Sequence, residues 1–142
     1  MLEQFGEKTA GRKLFSFAEI YSISVKAFRS MRPFREAAEK GLVSDRLKER
    51  IMLSVTAVNG CEVCSYFHTG QALKAGLDNS EIQQFLAGEF PDVPEDEAAA
   101  VLFAQYYADK RGRVDRETWQ SLEERYGRER ACGILAATRM IM

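Results

Sequence analysis

The chain has 142 residues, a length typical of one domain with a single sizeable core. Hydrophobic residues make up 46% and charged residues 29%, proportions that are typical of a globular protein and exclude a disordered chain. The formal net charge is −1 and the basic residues are scattered, so charge gives no reason to expect nucleic acid or an anionic membrane as partner.

No apolar segment approaches the roughly 20 residues that a membrane span needs. The first residues, MLEQFGEKTAGRKLFSF, include early acidic residues and contain no apolar core, which argues against a secretory signal. We therefore expect a cytoplasmic protein, and stable structural disulfides are rare in that compartment. A CxxC pair there more often serves redox chemistry or metal binding than structural cross-linking.

Apolar residues at helical spacing predict a first helix over 14–31. Pro33 predicts the end of that helix, because proline removes a backbone donor. A short helix over about 34–40 is expected to end at Gly41. We interpret the larger aromatic residues of the chain as core or subunit interface: Phe15, Phe17, Tyr21, Phe28, Phe85, Phe103, Tyr106 and Trp119.

Ser44 is a suitable N-cap for the next long helix, which ends at the helix-breaking pair Asn59-Gly60. Its apolar residues repeat at i, i+4, i+8 and i+11, the pattern of a buried stripe: Leu47, Ile51, Val55 and Val58. A new helix begins near Cys61 and ends before Gly76.

The second half of the chain carries clear helix-capping signals. Asp78 is expected to cap a helix that ends at Gly88, with Glu81 reaching back to complete a capping box. Pro94 suits the first position of a longer helix that continues to Gly112.

Asp115 predicts the start of a helix over 116–126, and the last helix is expected over about 128–141. No strand-like alternation persists beyond four residues. The sequence therefore predicts one all-α domain, 1–142, of about six to eight helices. We interpret 1–12 as a flexible or oligomer-contacting segment.

The segment NGCEVCSYFHTG at 59–70 holds two of the three cysteines and the single histidine. At about 100° per residue, Cys61, Cys64 and His68 share an arc of roughly 60° on one helix. The positive end of the helix dipole favours a thiolate at Cys61, the cysteine nearest the helix start. His68 lies one turn from Cys64 and favours that residue as the nucleophile instead. The residues alone leave this choice open.

Glu49 is a fourth candidate, because it lies at the margin of the apolar stripe of the preceding helix. The Asn59-Gly60 break lets that helix fold back beside the cysteine-bearing helix. A carboxylate in the interface would be partly desolvated and able to orient or protonate His68. The other interpretation is a solvated residue that pairs with Arg46 or Arg50.

The register of these four residues resembles a family motif. Glu49, eleven residues, Cys61-Glu-Val-Cys64 and then His68 are similar to E-x11-C-x-x-C-x-x-x-H, the motif of the alkylhydroperoxidase D-like branch of the carboxymuconolactone decarboxylase superfamily. The similar region covers about 44–88. Some members carry a second histidine between the cysteines, which this chain lacks, so a relay through that imidazole is not available.

The resemblance implies an all-helical protein that assembles as homo-trimers or homo-hexamers, with the CxxC at the N-terminus of a central helix. It implies a peroxidase of peroxiredoxin-type activity, with a hydroperoxide or disulfide substrate and no cofactor. Glu49 and His68 would relay the proton of Cys64, which attacks peroxide, and Cys61 would resolve the product as a disulfide. A lipoyl-bearing or thioredoxin-like protein would then supply the reducing dithiol.

Three other interpretations use the same atoms. A redox-sensing binding module would be oxidised once without turnover, and a general thiol-disulfide oxidoreductase would act on protein disulfides. A zinc-stabilised domain would use Cys61, Cys64, His68 and Glu49 as ligands, although structural zinc usually draws on two separated pairs. Lactone decarboxylases of the superfamily generally lack the full CxxC. Cys132 has no partner motif and is expected to be a small buried residue.

Overall fold

The computed structural model describes residues 14–142, and over that range the chain forms seven α-helices and no strand. The helices are α1 Phe17–Glu39, α2 Asp45–Asn59, α3 Glu62–Lys74, α4 Asn79–Leu86, α5 Glu95–Asp109, α6 Arg116–Tyr126 and α7 Arg128–Ile141. The predicted all-α class is confirmed. The interpretation of 1–12 falls on residues that lie outside the described range.

The predicted break in the first helix is wrong, because α1 is 23 residues long and continues through Pro33 to Glu39. Proline removes one donor from the hydrogen-bond ladder, and the packing of α1 along α7 outweighs that loss. The two helices approach closely at Gly133, where an added Cβ would lie 2.6 Å from the Cβ of Ala37.

The central helix is α2, which packs against α3, α4, α5 and α7. Most of its residues are buried: Leu47, Glu49, Arg50, Ile51, Met52, Leu53, Ser54, Val55, Thr56 and Asn59. By contrast, α3 packs mainly against α2 and α4, and its single buried residue is Ala72. The expectation that the CxxC lies on a central helix is therefore wrong. The CxxC lies on a peripheral helix, α3, that packs against the central helix α2.

A buried ion cluster ties α2 to α4 and α5. The guanidinium of Arg50 donates to Glu81 at 2.6 Å and to Glu97 at 2.6 Å. This pairing corrects the predicted capping box of α4. Asp78 does accept from the backbone N–H of Glu81 at 2.8 Å, but the carboxylate of Glu81 binds Arg50 instead of reaching back to the cap.

Several helix boundaries agree with the sequence. Ser44, Asp78 and Asp115 are all N-caps, and α6 and α7 have the predicted bounds. Pro94 is the N-cap of α5 rather than its first residue. That helix ends at Asp109, three residues before Gly112.

Phe17, Tyr21 and Phe28 are 93%, 74% and 77% exposed, so within one chain this face of α1 does not belong to the core. Their assignment to a subunit interface stays a prediction. The predicted burial of Cys132 is wrong. Cys132 is also exposed, because the residues of α7 that face the core are others: Ala131, Gly133, Ile134, Ala136, Ala137 and Thr138. Phe85 and Phe103 are buried, as predicted. Over residues 14–142 no helix has the length and apolarity that crossing a membrane requires.

Candidate functional site

The two motif cysteines form a disulfide at the start of α3. Gly60 ends α2 in the left-handed conformation, with φ of 66°, which turns the chain back towards α2. Cys61 is the N-cap of α3, and its Sγ accepts a hydrogen bond from the backbone N–H of Cys64 at 3.3 Å. The Cα atoms of the pair lie 5.3 Å apart. Both sulfur atoms are therefore held at the positive end of the α3 dipole.

Glu49 and His68 meet across the interface of α2 and α3. The Nδ1 atom of His68 lies 2.9 Å from Oε2 of Glu49. Glu49 is buried and His68 is partly buried. In the tautomer whose Nδ1 carries the proton, Nδ1–H donates a hydrogen bond to the carboxylate. Nε2 then has a free lone pair that can accept a proton. The structure thus brings these two motif residues together, while their part in a reaction stays a prediction.

The alternative partners considered for Glu49 are engaged elsewhere. Arg46 donates to the carbonyl oxygen of Gly76 at 3.0 Å, and Arg50 binds the buried carboxylates of α4 and α5. The second carboxylate oxygen of Glu49 instead lies 3.6 Å from Nζ of Lys48. Sequence reasoning missed Lys48, because adjacent residues of a helix do not normally face the same way.

A cavity of about 500 Å³ opens beside the disulfide and includes both cysteines in its wall. Its apolar lining comes from Val63, between the two cysteines, and from three residues in distant parts of the chain: Phe15, Ile141 and Met142. Tyr66 and Phe67 lie between Cys64 and His68 in sequence, but they are not part of the wall of this cavity and are exposed. No sequence signal links residues 15 and 141 to the motif, because only the packing of α1 on α7 and of α7 on α2 brings them there.

The arrangement does not provide a ready metal site. Within residues 14–142, no group of three or more His, Cys, Asp or Glu side chains is placed to hold a metal ion. The two cysteines are joined to each other, and Glu49 engages His68. The zinc interpretation therefore gains no support from the geometry of the motif residues.

A family model for carboxymuconolactone decarboxylases matches residues 26–106, more than half of the chain. The chain belongs to the carboxymuconolactone decarboxylase family. The matched region includes Glu49, Cys61, Cys64 and His68, and the match is consistent with the alkylhydroperoxidase D-like branch that the motif resembles. This family includes alkylhydroperoxidase D-like peroxidases. No similar curated protein and no similar solved structure was found.

Proposed function

We propose that this family member is a thiol-dependent peroxidase that reduces hydroperoxides through a Cys61–Cys64 dithiol/disulfide cycle. The observation that carries the proposal is the contact of α2 with α3. It places an oxidisable cysteine pair at a helix N-terminus, one turn from a histidine held by a buried carboxylate. That combination supplies a nucleophile, a resolving thiol and a base.

The proposed cycle starts from the dithiol. His68 takes the proton of Cys64, and the thiolate attacks the terminal oxygen of the hydroperoxide. The O–O bond breaks, an S–O bond forms, and the departing oxygen takes the proton from His68 and leaves as an alcohol. Cys61 then attacks the sulfenic acid sulfur of Cys64, so that an S–S bond replaces the S–O bond and water is released. Two electrons pass from the two sulfur atoms to the peroxide.

An external dithiol closes the cycle by thiol-disulfide exchange. We propose a lipoyl-bearing or thioredoxin-like protein as this reductant, because both present a dithiol able to attack a partly exposed disulfide. Cys61 and Cys64 are each partly exposed, which permits such an attack.

We also propose that the protein acts as a homo-trimer or homo-hexamer. The support is the exposed face of α1 with Phe17, Tyr21 and Phe28, since isolated monomers rarely leave so large an apolar patch in water. Sedimentation equilibrium of the wild type, compared with a variant in which these three residues are serine, tests the assembly.

The proposed peroxidase is tested with the reduced protein, cumene hydroperoxide and dihydrolipoamide as donor. We expect multiple turnovers, and we expect the titratable thiols to fall from three to one after oxidation without donor, because Cys132 has no partner within its own chain. A single oxidation without turnover would instead identify a redox-sensing module. Absence of any oxidation by hydroperoxide would refute the proposal.

Replacing Glu49 with glutamine is expected to lower kcat/KM for the hydroperoxide by about 10²-fold, the low end of the usual effect of general acid–base catalysis. Glutamine keeps the size of the side chain but removes the carboxylate charge that holds Nδ1 of His68. The rate of thiol loss after mixing with hydroperoxide measures the effect. Glu117→Gln is the matched control, because that carboxylate is exposed in the first turn of α6, does not line the cavity beside the disulfide, and should change the rate less than twofold. Equal effects of the two substitutions would contradict the relay.

A further inference from the structure

Within residues 14–142, two buried side-chain oxygens have no hydrogen-bond partner, Oγ1 of Thr56 and Oδ1 of Asn59. Both belong to the last turn of α2, and the two residues are 1% and 9% exposed. Other buried hydroxyls of the fold do find partners. Ser54 donates to the carbonyl oxygen of Ile51 at 2.9 Å, and Thr138 donates to that of Ile134 at 2.8 Å. The two unpartnered oxygens are therefore exceptions that need an explanation.

Both residues line the same cavity as the two cysteines. The backbone links them as well, because the carbonyl oxygen of Thr56 accepts from the N–H of Gly60 at 2.9 Å and from that of Cys61 at 3.4 Å. The amide nitrogen of Asn59 already has a weak acceptor, Sδ of Met142 at 3.9 Å. What remains unpaired on this wall is one hydroxyl and one carbonyl-type oxygen, next to the redox pair.

The structure holds the pair as a disulfide, in which the sulfur atoms have no proton to donate and no charge to attract a donor. Reduction by an external dithiol breaks the S–S bond and gives one thiol and one thiolate once a proton has left. The thiol is a donor and the thiolate is a charged acceptor. These are the two partners that the oxygen of Asn59 and the hydroxyl of Thr56 lack.

We propose that Thr56 and Asn59 form a hydrogen-bond site for the reduced cysteine pair. In this site the hydroxyl of Thr56 donates to the thiolate and Oδ1 of Asn59 accepts from the remaining thiol. Both are positioning residues, and their part in peroxide reduction rests on the function proposed above. Because the site is unpaired in the disulfide and paired in the dithiol, it favours reduction of the disulfide and ionisation of the attacking thiol.

The charged groups near the pair are few. Glu62 lines the cavity and opposes a thiolate, while Glu49 and His68 lie in the adjoining contact of α2 and α3. At the C-terminal end of α7 the cavity is faced by Ile141 and by the capping residue Met142, whose side chains are uncharged. A substitution at Thr56 leaves all of these groups in place, so a change in reduction potential reports on the hydroxyl.

The test compares Thr56→Val with the wild type at equilibrium with dithiothreitol redox buffers, the free thiols being counted by alkylation. We expect the equilibrium constant for reduction to fall about tenfold, which for this two-electron couple is about 30 mV. The pH profile of alkylation by iodoacetamide should show a higher pKa for the more reactive thiol. Thr56→Ser, which keeps the hydroxyl, should retain both wild-type values, and Asn59→Leu should shift the potential in the same direction as Thr56→Val.

Thermal unfolding of the disulfide form separates this role from a structural one. Thr56→Val should keep or raise the Tm, because valine removes a buried hydroxyl that has no partner. Thr138→Val is the matched control, since it removes a buried hydroxyl that is paired. It should lower the Tm and leave the potential unchanged.

A lower Tm of the disulfide form of Thr56→Val, including failure to fold, overturns the proposal, as does an unchanged potential. None of these measurements uses peroxide. A shifted potential in a protein that does not react with hydroperoxide would therefore support the hydrogen-bond site and refute the peroxidase. Peroxide turnover with an unshifted potential would support the peroxidase and refute the hydrogen-bond site.

Discussion

Replacement of Cys64 with serine is expected to abolish hydroperoxide turnover, with a loss on the order of 10³-fold or more, as is usual when a covalent nucleophile is removed. A serine hydroxyl is not ionised near neutral pH, whereas the thiolate is the species that attacks peroxide. The cysteine lies in the first turn of α3, four residues before the imidazole that Glu49 holds. Steady-state kinetics with cumene hydroperoxide and dihydrolipoamide measure the loss.

The matched variant, Cys61→Ser, keeps the proposed nucleophile and removes the resolving thiol. It should react with one equivalent of hydroperoxide and accumulate sulfenic acid on Cys64, which dimedone traps and mass spectrometry locates. Cys132→Ser should retain full turnover, because this exposed cysteine is unpaired in the structure. Trapping on Cys61 in the Cys64→Ser variant would reverse the assignment, as the helix dipole alone predicts.

Local signals explain what the sequence could predict. An N-cap residue fixes the start of a helix within a few residues, which is why Asp115 sufficed to predict where α6 begins. The Asn59-Gly60 break predicted that α2 folds back on α3 with Glu49 near His68, and this contact is present in the structure.

The remainder depends on packing between distant segments, which local patterns do not encode. Pro33 was expected to end α1, but the interface with α7 keeps that helix intact. The cavity beside the disulfide needs Phe15 and Ile141, which are separated from the motif by whole helices. The unpartnered oxygens of Thr56 and Asn59 likewise depend on packing, because only the folded structure shows which buried polar atoms have a hydrogen-bond partner.

The buried ion cluster at Arg50 was also beyond the reach of sequence patterns, and it carries the largest expected effect on stability. The guanidinium is nearly inaccessible and binds Glu81 and Glu97 from two other helices. Burial by itself opposes its charged form, yet the hydrogen bonds to these carboxylates raise the pKa of Arg50 above its usual value. The guanidinium is therefore charged at any working pH, and its bonds to Glu81 and Glu97 hold α4 and α5 against the helix that carries Glu49.

Arg50→Met should lower the free energy of unfolding by about 3–5 kcal/mol, because it leaves two buried carboxylates without their cation. Urea unfolding at one fixed protein concentration, with the disulfide intact, measures the loss. Arg46→Met is the matched control on the same helix and should cost less than about 1 kcal/mol, since that side chain is exposed.

Adding Glu81→Gln and Glu97→Gln to Arg50→Met tests whether the loss of stability comes from the unpaired charges or from lost packing. Removal of a whole buried ion cluster is often close to neutral, whereas removal of one partner is not. We therefore expect the triple variant to recover most of the lost stability. The deficit of the single variant should also shrink as the pH falls, because protonation neutralises the two stranded carboxylates. A triple variant as unstable as Arg50→Met, with a deficit independent of pH, would show that the methylene stem of Arg50 and not its charge holds α2 to α4 and α5.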